Sequence, residues 1–177
     1  MKLFSKLDAK YGDSGVWQFI KFNLISCTVS LLQFALANLL PLFFDGLRAP
    51  LPVFLRGIFS KEVLNLEEGI YVINGVVSWG YVLPFFLSNL IANIYGYFIN
   101  RTTTFRSTSK PYSLPVYFIV LTLLILLTTW VQGILHSYFV SLGWKTLSRT
   151  LAASCAGWIQ LFVLFPLEKY VLFKKED

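Results

Sequence analysis

The sequence predicts an all-α integral membrane protein of four transmembrane helices, arranged as two parallel two-helix repeats with both termini in the cytoplasm. Three observations carry this expectation. Of the 177 residues, 56% are hydrophobic and only 14% charged, whereas about a quarter of a soluble domain is charged. Four apolar stretches approach the about 20 residues needed to cross a hydrocarbon core. Lysine and arginine are shared unequally between the two faces that such a chain presents.

The first span is read at about 22–44. Basic residues precede it and Ala35-Leu36-Ala37 resembles a leader cleavage site, but the apolar run continues to Phe44, as a retained anchor does. A long outer loop, 45–78, follows. Its apolar piece Leu51 to Phe59 reads either as an interfacial helix on the outer leaflet or as disordered loop. The remaining spans are read at about 79–99, 114–135 and 151–167, the last of them short. No segment between the spans looks able to build its own core, so residues 1–177 are expected to form a single membrane domain.

Ten of the 15 basic residues fall on one side: Lys2, Lys6, Lys10 and Lys21 before span one, Arg101, Arg106 and Lys110 between spans two and three, and Lys169, Lys174 and Lys175 at the end. Arg48, Arg56, Lys61, Lys145 and Arg149 occupy the opposite loops, beside Asp45, Glu62, Glu67 and Glu68. The richer side is expected to be cytoplasmic. Topology and attraction to anionic lipid head groups account for the net charge of +6, and no nucleic-acid partner is implied.

An internal repeat emerges when the ends of spans two and four are overlaid. Asn100 to Arg106 then meets Glu168 to Lys174, with polar, basic and aromatic-basic positions recurring in order. Gln33 of span one meets Gln132 of span three once the longer first outer loop is treated as an insertion. Each half has two spans, so both enter from the same side and the repeats are parallel.

Polar side chains are costly in lipid and turn toward other helices or a wet cavity. Asn89, Asn93, Gly96 and Asn100 share one face of span two; Thr122, Thr129, Gln132 and His136 do so in span three. Ser26, Ser30, Gln33 and Ala37 mark span one, and Ala153, Gly157 and Gln160 span four. Helix-packing seams explain most of these positions. Asn93, Asn89, Gln33, Gln160 and Gln132 are the candidates for a polar pathway.

Catalytic and metal-ligating clusters are not evident. His136 is the single histidine and is expected to be hydrogen-bonded near the outer interface, and Cys27 and Cys155 read as small buried hydrophobes. No carboxylate lies between 151 and 167 or within the other three spans, so a proton-coupled exporter of the small multidrug resistance type lacks its central glutamate. No enzyme activity, cofactor or metal is expected.

Arg101 and Lys169 end spans two and four at equivalent places in the repeat. A guanidinium holds a phosphate bidentately and an ammonium as a point charge, so Arg101, Asn100 and Lys169 are the candidate lipid-phosphate site. Topology alone also places basic residues here. The run from Asn89 through Asn100-Arg101 to Thr104-Phe105, with the matching end of span four from Trp158 to Phe173, resembles the signature of GtrA-like proteins. The family commonly carries an aromatic where this chain has Thr103, and Glu168-Lys169 replaces a second Asn-Arg.

The resemblance implies a bacterial plasma-membrane protein of cell-surface polysaccharide or teichoic acid glycosylation. In that role a polyprenyl-phosphate-linked sugar is bound and moved across the bilayer, with membrane lipids as surroundings. The alternative is a non-transporting scaffold that anchors a glycosyltransferase partner. A homo-oligomer is expected from the thin four-helix wall and from Ala152, Ala153, Ala156 and Gly157 at small-residue spacing.

Overall fold

Charge neutralisation decides where the first apolar helix begins. In the computed structural model, which describes residues 2–173 apart from 13, 45, 65, 67, 70, 108–111 and 145–146, a short helix α1 (Lys2–Tyr11) precedes α2 (Gly15–Leu39). Asp8 of α1 pairs with Lys21 of α2 at 2.8 Å, so a lysine is buried without an unpaired charge. The apolar segment therefore starts at Gly15 and not at 22, and runs to Phe44 through the four-residue α3 (Pro41–Phe44).

The loop after span one is folded. A single 3₁₀ turn (Val53–Leu55), a short helix α4 (Lys61–Leu64) and an antiparallel pair β1 (Val72–Ile73) and β2 (Val76–Val77) make a cap. Asn74-Gly75 joins the strands with φ of 52° and 75°, the backbone of a type I′ hairpin turn. Leu51, Phe59, Val72 and Val77 are buried together with Val82 of the second span. The fold is thus predominantly helical with a small β-hairpin, and neither an interfacial helix over 51–59 nor a structureless loop. Val53 and Phe54 are nonetheless exposed.

The second span is α5 (Trp79–Ile99), continued by a π-helical turn (Asn100–Thr104). The third is α6 (Ser113–Ser141), stopped at Gly143, whose φ of 86° suits a residue without Cβ. The fourth is α7 (Ser148–Pro166), continued by a second π-helical turn (Leu167–Leu172). All four are long and apolar enough to cross a membrane. Leu31, Phe34, Ile119, Leu123 and Phe162 are exposed along them, a surface suited to lipid rather than water.

Packing is closest within two hairpins, α2 with α5 and α6 with α7. In the first, Gly96 lets Val29 approach so closely that a Cβ at 96 would lie 2.7 Å from its Cγ2. The hairpins meet each other more loosely, α5 against α6 and α2 against α7. At the end carrying α1 and both π turns, hereafter the basic end, aromatic rings close that junction. Phe165 of α7 meets Phe19 and Phe22 of α2 with ring centroids 5.0 and 5.3 Å apart, and Phe173 meets Tyr97 and Phe105 at 5.0 and 5.4 Å.

Candidate functional site

The loose junction between the hairpins holds a half-open cavity of about 580 Å³, within the roughly 300–1,000 Å³ typical of small-molecule sites. The polar stripes converge on it. Helix α2 contributes Ser26, Ser30 and Gln33; α5 contributes Asn89 and Asn93; α6 contributes Thr128, Thr129 and Gln132; α7 contributes Gly157, Trp158 and Gln160. Asn100 and Glu168 line it from the two π turns.

These groups divide by how far the protein itself satisfies them. Asn93 donates to the carbonyl and the side-chain oxygen of Asn89 at 2.9 and 2.7 Å. Tyr117 donates to the Asn93 carbonyl at 3.1 Å, and Gln160 donates to Thr128 Oγ1 at 3.0 Å. Such bonds hold helices together at about 0.6–2 kcal/mol each. Among the described residues, the amides of Gln33 and Gln132 make no hydrogen bond and stand open to a ligand.

Thr104 donates to Asn100 Oδ1 at 3.0 Å, which leaves the Asn100 amide nitrogen free of that bond, and Asn100 and Glu168 line the cavity together. Glu168 is 1% exposed, and its Oε2 has no hydrogen-bond partner. The absence of a carboxylate between 151 and 167 therefore does not leave span four without one, because the fourth helix runs on to Leu172 and takes Glu168 into the cavity wall. Sequence reading placed this residue beyond the span because hydropathy falls at Glu168-Lys169. The signal was its alignment with Asn100 when the ends of spans two and four are overlaid.

Arg101 and Lys169 do not line the cavity. Arg101 Nε donates to the Ser107 carbonyl at 3.4 Å. The Lys169 ammonium lies over the rings of Phe165 and Tyr170, 5.7 and 5.2 Å from their centroids, and against Gly15. Neither is in an ion pair among the described residues, whereas Lys21 and Arg106 are both taken by Asp8. The asparagine stripe of α5 thus leads to Asn100 and Glu168, while Arg101 points elsewhere at the same end of the bundle.

No family model, curated protein or solved structure matches the chain.

Other expected features differ in detail. Cys27 lines the cavity and is exposed, so it is no buried hydrophobe; Cys155 is half-buried, and both thiols are free. His136 Nδ1 is buried without the hydrogen bond expected of it. Ala152 and Ala156 are buried inside the single chain, which removes them as a free self-association face. The Ala153 side chain, like Lys110, Lys145, Lys174 and Lys175, lies outside the described residues.

Proposed function

We propose that this is a GtrA-like carrier of the bacterial plasma membrane that binds a polyprenyl-phosphate-linked sugar and moves its head group across the bilayer. The observation that carries this reading is the cavity between the four apolar helices, to which all four contribute hydrogen-bonding side chains. Amides and hydroxyls complement a hydroxyl-rich neutral group, and Trp158 adds an aromatic wall. A charged phosphate has no basic partner in that lining and would meet Glu168 there. It belongs at the basic end, where Arg101 and Lys169 are not engaged by carboxylates among the described residues.

Two-fold repetition supports the same reading. Both π turns close with a backbone bond across five residues, Phe105 N–H to the Asn100 carbonyl at 2.9 Å and Phe173 N–H to the Glu168 carbonyl at 2.8 Å. Asn100 and Glu168 face each other as equivalents, as two parallel repeats about an axis along the membrane normal would require. With the basic end in the cytoplasm, the phosphate is taken up from the leaflet in which lipid-linked sugars would be made.

Reconstitution tests this directly. Liposomes containing the protein are expected to translocate a polyprenyl-phosphate hexose faster than protein-free liposomes, and Arg101→Glu is expected to slow them with the fold retained. Translocation at the protein-free rate would reject the carrier and leave the scaffold for a glycosyltransferase. Lipid identified by mass spectrometry after purification names the substrate.

A further inference from the structure

Glu168 is the one carboxylate among the residues that line the cavity, and no lysine, arginine or histidine lines it. Its Oε2 is buried without a hydrogen-bond partner. An isolated ionised carboxylate is very costly in a medium of low dielectric, so it is paired, or it carries a proton. No pairing is available from the elements packed around it. On α2, Lys21 is held by Asp8 and by the Thr103 carbonyl, both at 2.8 Å, and Cys27 is a thiol. Tyr97 of α5 and Tyr117 of α6 supply hydroxyls, and the Tyr117 hydroxyl is already bonded to the Asn93 carbonyl. Arg101 is turned to Ser107, and Lys169 lies over aromatic rings.

The same place is mechanically sensitive. Glu168 sits in the π turn between Phe165 and Phe173, the two rings that close the junction of the hairpins at this end. A carboxylate formed there would need water, and parting of those rings would bring water to Oε2 from the basic end.

We propose that Glu168 is a proton-binding site that controls access to the cavity. With the proton on Oε2 the basic end stays closed, and release of that proton to water accompanies opening of the aromatic seal. The site takes a proton whether or not the transported ligand is a lipid-linked sugar, and it would let a proton gradient bias the carrier.

The test uses the full chain in sealed liposomes, oriented with the basic end outward and with no ligand added, so its outcome is separate from that of the translocation assay. The infrared difference between wild type and Glu168→Gln is expected to contain a protonated-carboxyl band at neutral pH that declines as pH is raised. On a Cys155→Ser background, a membrane-impermeant maleimide applied at the basic end reports opening through Cys27. The ratio of wild-type to Glu168→Gln labelling is expected to rise in step with loss of the band. A rise of about tenfold follows if opening is a minor state of up to about 10% that becomes the main one. Comparing the two proteins at each pH cancels the thiol's own titration.

An ionised carboxylate at neutral pH would overturn the proposal. So would a band that never titrates, which marks a sealed structural acid only, or one that titrates with the labelling ratio constant. Should Glu168→Gln fail to fold, Glu168→Asp keeps an acid in place: it is expected to retain a titrating band and pH-dependent labelling, and pH-independent labelling in it would overturn the proposal equally.

Discussion

Asp8 gathers three donors, two from α2 across the chain's first turn and one from beyond span two. Lys21 and Trp17 bond its Oδ1 at 2.8 and 2.9 Å, and Arg106 bonds Oδ2. These contacts, the Lys21 hydrogen bond foremost, hold the carboxyl at about 2, below its ordinary value of 3.8. A carboxyl depressed on folding stabilises fully above its unfolded value and loses that contribution as pH falls through its folded one. The stability difference between wild type and Asp8→Asn is therefore expected to be constant above about pH 4 and to vanish toward pH 2. At neutral pH the substitution removes a charge-assisted bond and leaves the Lys21 ammonium buried, a loss of about 2 kcal/mol; thermal unfolding in detergent across pH measures it. Gln132 makes the opposite case. Its amide has no protein partner, so Gln132→Leu is expected to leave stability within about 0.5 kcal/mol. Binding of a polyprenyl-phosphate hexose, measured by titration of cavity tryptophan fluorescence, should weaken roughly fivefold for a lost bond of about 1 kcal/mol.

At the scale of elements, what could be read in advance was what composition and period determine. Long apolar runs fixed four helices, and the spacing of amides placed Asn89, Asn93, Gln33, Gln132 and Gln160 on faces that meet at one cavity. The ends of the helices escaped because they depend on partners far along the chain. Lys21 lies inside a helix with Asp8 neutralising it, and Glu168 lies inside one that runs on to Leu172 beside Asn100 in the cavity wall. The cap is a different case: Asn74-Gly75 between valine-rich pairs is a strong local hairpin signal, and it outweighs the apolar pattern of Leu51 to Phe59. The cap is fastened to span three at Gly133, where a Cβ would fall 2.4 Å from Val63 Cγ1. Gly133→Ala is thus expected to lift α4 from α6, since overpacking costs about 1–3 kcal/mol. Hydrogen exchange should quicken over 61–64 while the basic end keeps its protection; unchanged exchange in α4 would show that the cap absorbs the methyl group.

The whole molecule is two tightly packed hairpins with a polar cavity at their looser junction, bridged by aromatic rings at the basic end. Phe165 is the central bridge at the basic end, touching Phe19 and Phe22 across the junction and Phe105 with ring centroids 6.1 Å apart. Its removal takes away many small dispersion contacts at once, those to Phe19, Phe22 and Phe105 being between hairpins, and none of the hydrogen bonds within either hairpin. Phe165→Ala is accordingly expected to keep four folded spans and the Asn89–Asn93 and Gln160–Thr128 bonds, yet to admit reagents. With Cys155→Ser as background, maleimide labelling of Cys27 from the basic end should accelerate severalfold, whereas labelling from the cap end should not change. Equal acceleration from both ends would mean that the bundle has loosened as a whole and that Phe165 is core packing, because a seal acts on one side only.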